Sequence, residues 1–377
     1  MLIIKDNYTL LFQKLIDLID WNILKIYAYK LDIDYLTIKN HLKSLIYFHI
    51  AELDSLRDIS DFMKSPSDLK QLINGVSLGS LSNYNNKINY EVLLPVMNDI
   101  ILKALISIPV NKRIKKFGSV KLIDSTTVSM GMTYFNWAKF RSTKAGIKVH
   151  TKFDLGKNIP ETIIVTNAKV HDKNKLEELM SEENCIYIYD RAYVDYKQSD
   201  HYTKTKRFFI SRLKKNAITD EVENLEITRC DEKLLDDNVK IVYDKVVYLG
   251  NESSYKTTEK YRVIQVLDKD DNELVFITNI LYLSTEEIAW LYKKRWEIEL
   301  FFKWIKQKLK IKKFIGNSLN AVMMQIISAI ITFIILRLIQ TEVNSAYGLT
   351  TIKRIIKHSL TNEINIKEFS WFVFLGS

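Results

Sequence analysis

Cysteine, proline and glycine are all scarce in this chain, at 2, 4 and 10 among 377 residues. Cys185 and Cys230 are too few for a disulfide framework, so the expected setting is a reducing cytosol. So little glycine and proline excludes a collagen-like chain or a flexible linker protein. No Gly-x4-Gly-Lys loop occurs, so no nucleotide cofactor and no ATP-driven chemistry are expected. The opening Met1-Leu-Ile-Ile-Lys-Asp has no basic stretch leading into an apolar one, so no signal peptide is expected. The longest apolar run, Ala321 to Leu336, falls short of the roughly 20 residues that cross a bilayer. Gln325, Ser328 and Thr332 also interrupt it. It reads as a buried core helix, and no membrane partner is expected. His150 and His171, with two cysteines, lack the spacing of a zinc site and read as hydrogen-bonding groups.

What is present is a globular composition, 47% hydrophobic and 27% charged, long enough for two or three domains. Lys and Arg outnumber Asp and Glu by 55 to 45, giving +10 and a pI near 9.1. Such a balance suits a polyanionic partner such as nucleic acid or an anionic membrane surface. Ile, Lys, Asn and Tyr are all abundant, as an AT-rich genome produces, so the placement of the charge says more than its total.

Residues 1–112 read as a helical domain. Leu10, Leu11, Leu15, Ile16 and Ile19 recur at helical spacing, as do Leu42, Leu45, Ile46 and His49. Within this region Gly75 to Lys87, rich in Ser, Asn and Gly, suits a plain loop or a helix–turn–helix connection, and its composition favours the loop. From Val120 the texture becomes α/β. Runs at Val120–Asp124, Gly146–Asp154, Glu161–Thr166, Cys185–Asp190 and Arg207–Leu213 predict a mixed sheet with flanking helices over 113–215 and 273–340. Residues 216–272 read as a β-rich insertion, and 341–377 as a helical tail that is a candidate for dimerisation.

Ser284 and Glu287 form a capping box that opens a helix expected to run past Lys306. At about 100° per residue, Tyr292, Arg295, Glu299 and Lys306 share one stripe beside an apolar seam of Leu291, Ile298, Phe302, Ile305 and Leu309. Over 292–313 nine Lys or Arg face two Glu, as a surface that tracks phosphates requires. Two other carboxylates end apolar strands, Asp124 after Val-Lys-Leu-Ile and Asp190 after Cys-Ile-Tyr-Ile-Tyr. Each alone suits a turn or a cap. With Glu299 they supply three hard oxygen ligands from separate elements, a set suited to Mg²⁺ or Mn²⁺. Two such ions would serve phosphoryl transfer. Ser125 and Thr126 have no base beside them in sequence and read as orienting Asp124 rather than as nucleophiles.

Asp124-Ser-Thr-Thr, Asp190-Arg-Ala-Tyr and Tyr292-x2-Arg295-x3-Glu299-x6-Lys306 together resemble the three acidic motifs of bacterial insertion-sequence DDE transposases of the Tyr-Arg-Glu-Lys group. Gly146-Ile-Lys-Val-His and Val170-His-Asp are similar to the family as well, and the resemblance covers about Val120 to Phe314. It implies a ribonuclease-H-like catalytic domain, with Asp124, Asp190 and Glu299 as catalytic ligands of two Mg²⁺ or Mn²⁺ ions. It implies terminal inverted repeats and target DNA as partners, and a homodimeric synaptic complex in the cytoplasm, at the nucleoid. Tyr292, Arg295 and Lys306 would contact the DNA backbone, and Arg191, Lys294 and Lys303 are further candidate contacts. Ala192 stands where the second motif commonly has Gly. Leu274 aligns with a strand position where some relatives carry a base-stacking Trp, and Trp290 and Trp296 read as core aromatics. The implied activity is cleavage of transposon ends and strand transfer. A domesticated endonuclease of the same fold and a catalytically silent DNA-binding repressor are the rival readings.

Overall fold

Apolar residues at helical spacing make the N-terminal third helical. The structure is a computed structural model that describes residues 9–62, 64, 73, 77–131, 133–141, 144–214, 216–230, 234–236, 238–311, 313–343, 347–360 and 363–364. A two-residue strand, β1 (Thr9–Leu10), leads into α1 (Leu11–Ile16), α2 (Trp21–Lys30), α3 (Tyr35–Ala51) and α4 (Leu56–Phe62). There follow α5 (Leu78–Lys87), α6 (Leu94–Ser107) and the short α7 (Lys112–Lys115). Helix α5 occupies most of the stretch whose composition reads as a loop; Gly75 and Val76 lie outside the described residues. Ser77 caps it, its hydroxyl oxygen accepting from the Ser80 N–H at 3.1 Å, while Leu81 and Asn85 are buried. A cap and one packed face outweigh the weak helix propensity of Ser and Asn here.

The sheet begins with β2 (Val120–Met130), followed by β3 (Lys139–Arg141), β4 (Lys144–Asp154) and β5 (Ile159–Asn167). β2 pairs antiparallel with β4, whose other edge pairs with β5 and, near its start, with β3. After α8 (Lys173–Leu179) the chain returns as β6 (Ile186–Tyr189), parallel to β2. After α9 (Tyr196–Lys204) it returns as β7 (Phe208–Arg212), parallel to β6. Parallel neighbours need such helical crossovers. The order β5–β4–β2–β6–β7, three antiparallel strands continued by two parallel ones, is the expected ribonuclease-H-like core.

Side chains alternate across a strand, and this alternation sorts the sheet into two faces. Ile123, Tyr187, Tyr189 and Phe209 pack with Leu176 and Leu179 of α8 and Tyr202 of α9. Val120, Leu122, Ile186, Ile188 and Ile210 belong to the larger core on the other face. Asp124 shares the parity of Val120 and Leu122, and Asp190 that of Ile186 and Ile188. Both acids therefore sit on the larger-core face.

Residues 216–272 do not form a separate layer. β8 (Thr219–Leu225), β9 (Lys240–Leu249) and β10 (Tyr261–Leu267) extend the same sheet through β11 (Glu273–Thr278), which pairs antiparallel with β7. The helix expected beyond Ser284 is two helices, α10 (Thr285–Lys293) and α11 (Trp296–Lys308). Between them the ladder tightens to i→i+3 bonds, Arg295 N–H to the Tyr292 carbonyl and Glu297 N–H to the Lys294 carbonyl, both at 3.0 Å. The apolar run forms α12 (Leu319–Glu342), which is long and apolar enough to cross a membrane but is buried within the protein, against α3 and α6. His49 of α3 ties this helix to α11: its ring nitrogens meet the Leu309 carbonyl at 2.8 Å and the Ser328 hydroxyl at 2.9 Å. After α13 (Leu349–Ser359), β12 (Glu363–Ile364) pairs with β1. The N-terminal helices and the sheet share one continuous core.

Candidate active site

Asp124 and Asp190 are brought together by strand register. Ile123 pairs with Tyr189 across the parallel β2–β6 ladder, so the next residue of each strand is an acid. Adjacent strands lie about 4.8 Å apart. The third acid comes from α11, which packs on β2 from the larger-core side. Arg295 joins helix to strand: one guanidinium nitrogen donates to Asp124 Oδ2 at 3.3 Å, the other to Glu299 Oε1 at 2.5 Å. The i,i+4 pair seen in the sequence thus forms, but it also reaches across to the sheet.

Burial pushes the Asp124 carboxyl up to about 6, and the charges of Glu299 and Asp190 add to the rise. The Ser125 N–H and Arg295 oppose it. That N–H donates to Asp124 Oδ1 at 2.8 Å, so Ser125 does orient the acid. A cavity of about 430 Å³ opens here, lined by Asp124, Thr126, Glu299, Phe302, Lys303 and Lys306. Lys306 crosses to β2 and donates to the Thr127 carbonyl at 3.1 Å. Arg191 is exposed on the turn that follows Asp190.

Other candidates lie elsewhere. Tyr292 is buried, its ring 4.5 Å from that of Phe276, and its hydroxyl is enclosed without a hydrogen-bond partner among the described residues. It lies behind Arg295, whose guanidinium carbon is 5.9 Å from its ring centroid, rather than on an open surface. Lys294 lines a different cavity. Of the two tryptophans read as core, Trp290 is buried and stacks on Phe117 at 5.7 Å. Trp296 is 58% exposed, since it begins the second helix on the solvent side.

One acid that the strand-end reading passed over supports the site. Asp172, just before α8, accepts from the Ser125 hydroxyl at 2.6 Å and pairs with Lys148 at 3.2 Å. His150 stands 3.6 Å from the same carboxylate. Burial pushes His150 down to about 4, so it is neutral at pH 7, and its other nitrogen meets the Thr166 hydroxyl at 2.9 Å. His171 is exposed. The signal for Asp172 lay only in the Val170-His-Asp motif.

Among the described residues no three His, Cys, Asp or Glu side chains close into a ready ion cage. The donor chemistry nevertheless suits a hard cation: oxygen ligands alone, from three elements, beside an open cavity. The Arg295 guanidinium here balances the charge that such a cation would meet.

Residues 115–335 match the transposase DDE domain. The chain is 28% identical over 218 residues to a probable transposase for insertion sequence element IS5377 of Geobacillus stearothermophilus, covering 58% of this chain and 56% of that protein. It is 32% identical over 219 residues to a protein of Sinorhizobium fredii named as transposase y4zB, covering 58% and 60%. It thus spans less than two thirds of the length of these relatives. A solved piggyBac transposase synaptic complex with hairpin DNA has 10% identity and a TM-score of 0.48, over 92% of this chain and 77% of that one. The matched domain encloses Asp124, Asp190 and Glu299 and more than half of all residues, so the chain belongs to the transposase DDE domain family.

Proposed function

We propose that this protein is a DNA transposase of an insertion sequence. It would bind the terminal inverted repeats, cut at the transposon end and join the freed strand to target DNA. The observation that supports the reading is the register that ends β2 and β6 side by side in Asp124 and Asp190, with Arg295 bridging Asp124 to Glu299 beside a cavity edged by Lys303 and Lys306. Dependence on a divalent metal goes with the family. We assign Mg²⁺ or Mn²⁺, two ions, to Asp124, Asp190 and Glu299; bound there, they would activate the attacking oxygen and stabilise the leaving one. Arg295, Lys303 and Lys306 would hold the scissile phosphate as preorganised cations, Arg191 and Lys294 would meet backbone farther out, and Tyr292 would act through Arg295. In the first step a water oxygen bonds to phosphorus and the 3′ oxygen leaves. In the second, that 3′-OH bonds to a target phosphorus, and the target's own 3′ oxygen leaves.

We assign end recognition to the helices of residues 1–112, with a homodimer using residues 341–377, working at the nucleoid in the cytoplasm. The test incubates the purified protein with labelled duplex ends from the DNA flanking its gene and a plasmid target, in Mg²⁺ or Mn²⁺. Cleavage followed by joined product is expected, both lost in EDTA and restored by excess metal. Cleavage without joining would replace this reading by an endonuclease. Specific binding with no metal-dependent chemistry would leave a repressor.

Asp172→Asn is expected to slow cleavage about 10- to 100-fold, the usual cost of losing a group that orients a ligand, with duplex affinity kept. The carboxylate bonds Ser125, whose N–H holds Asp124, and an amide would pair less well with Lys148. Single-turnover cleavage beside a binding titration measures both. An unchanged rate would remove Asp172 from the site.

A further inference from the structure

The cavity that Lys294 lines, about 550 Å³, lies where the α6–α7 connection, the β4–β5 turn, the α10–α11 junction and the end of α12 converge. Arg113, Lys157, Lys294 and Arg337 line it against one carboxylate, Glu297. Arg337 is mostly buried and, among the described residues, has no carboxylate partner. Its guanidinium donates to the Lys157 carbonyl at 2.9 Å and to Gln340 Oε1, both neutral, and its Nε is enclosed without a partner. Burial alone lowers its pKa. The Lys157 ammonium donates to the Leu105 carbonyl, and that of Lys294 sits 5.0 Å from the Trp290 ring centroid. Among the described residues, three cationic side chains that line this cavity thus have only neutral partners.

The walls are fixed by backbone contacts. Asn111 N–H donates to the Gly156 carbonyl at 2.8 Å, and a Cβ on Gly156 would meet Val110 Cγ1 at 2.9 Å. Glycine is therefore what lets the β4–β5 turn lie against the α6–α7 connection. A buried guanidinium without a counter-charge is costly. Its planar fork, on a cavity that Lys157 and Lys294 also line, matches the several oxygens of a phosphate better than a single carboxylate.

We infer that this cavity binds a phosphate group, and that in the working complex the phosphate belongs to the DNA backbone. The inference rests on the DNA reading above and adds a second anchoring point to it. Lys294 directly precedes Arg295, so one turn of chain presents a cation to the acids and another to this cavity.

The test compares wild type, Arg337→Gln and Lys294→Gln in duplex binding by fluorescence anisotropy across NaCl concentrations. Each phosphate contact contributes about 0.9 to the slope of log affinity against log salt. Each variant is expected to lose about that much slope and to bind several-fold more weakly at low salt. Melting curves with and without inorganic pyrophosphate form the second arm: the anion should raise the wild-type midpoint and leave that of Arg337→Gln unmoved. Lys294→Gln, at a partly exposed wall position, keeps the test decisive if Arg337→Gln fails to fold. Unchanged slopes with a pyrophosphate shift lost in the variants would overturn the DNA occupant and leave a free phosphoanion. If wild type binds no duplex, the functional reading fails and the pyrophosphate arm alone judges the cavity. Unchanged slopes and no pyrophosphate effect would overturn the site.

Discussion

Asp124→Asn is expected to abolish strand cleavage while making the metal-free protein more stable at neutral pH. An amide cannot replace a carboxylate as a ligand for a hard cation, and the charge stabilisation lost is worth several kcal/mol, roughly 10³-fold in rate. The stability gain follows from the same burial that makes the residue useful. The folded carboxyl titrates near 6 instead of the usual 3.8, so the folded state binds a proton more tightly than the unfolded chain. Stability therefore falls as pH rises through the window from about 4 to 6, and stays low above it. The total is about 2–3 kcal/mol. Asn carries no such loss. In EDTA the variant should melt with wild type near pH 4 and clearly above it at pH 8, with duplex binding retained at both. Glu299→Ala should match it in lost cleavage. Cleavage by Asp124→Asn at the wild-type rate would remove the residue from the catalytic set, and parallel melting curves would remove the burial argument.

Much of this site was legible because its parts are local. A largely apolar run ending in an acid marks a buried strand with a carboxylate at its end, and two such strands set in parallel register bring Asp124 beside Asp190. The Arg295–Glu299 spacing likewise survives folding. Features that depend on tertiary contact did not show. Helix α5 has little apolar content of its own and owes its existence to Ser77 and a face buried against the core. The break at Lys294–Arg295 carries no Pro or Gly, so nothing in the local pattern marks it. The β-rich character of 216–272 was readable. Its continuation of the same sheet was not, because strand order is a long-range property.

Arg262→Ala is expected to cost about 3–5 kcal/mol, the penalty for stranding one member of a buried ion pair. Asp244 on β9 and Arg262 on β10 are both buried, and Arg262 Nε donates to Asp244 Oδ1 at 3.2 Å. The same guanidinium donates to the Leu283 carbonyl at 2.6 Å, and the Thr285 hydroxyl donates to Asp244 Oδ2 at 2.8 Å. The pair therefore clamps the added strands to the first turn of α10, the helix that leads into Arg295 and Glu299. Without the guanidinium, Asp244 keeps, among the described residues, one hydroxyl donor for a buried charge, and the Leu283 carbonyl loses the guanidinium's bond. A urea titration should show the midpoint fall. Replacing both partners by apolar residues, Arg262→Met with Asp244→Leu, should recover most of the loss, because no charge is then left buried. The double variant would separate two roles of the clamp. Cleavage restored along with stability means that the clamp only holds the fold together. Stability restored with cleavage still impaired means that the polar contacts to Leu283 and Thr285 also set the entry of α10, and through it the reach of Glu299 toward Asp124.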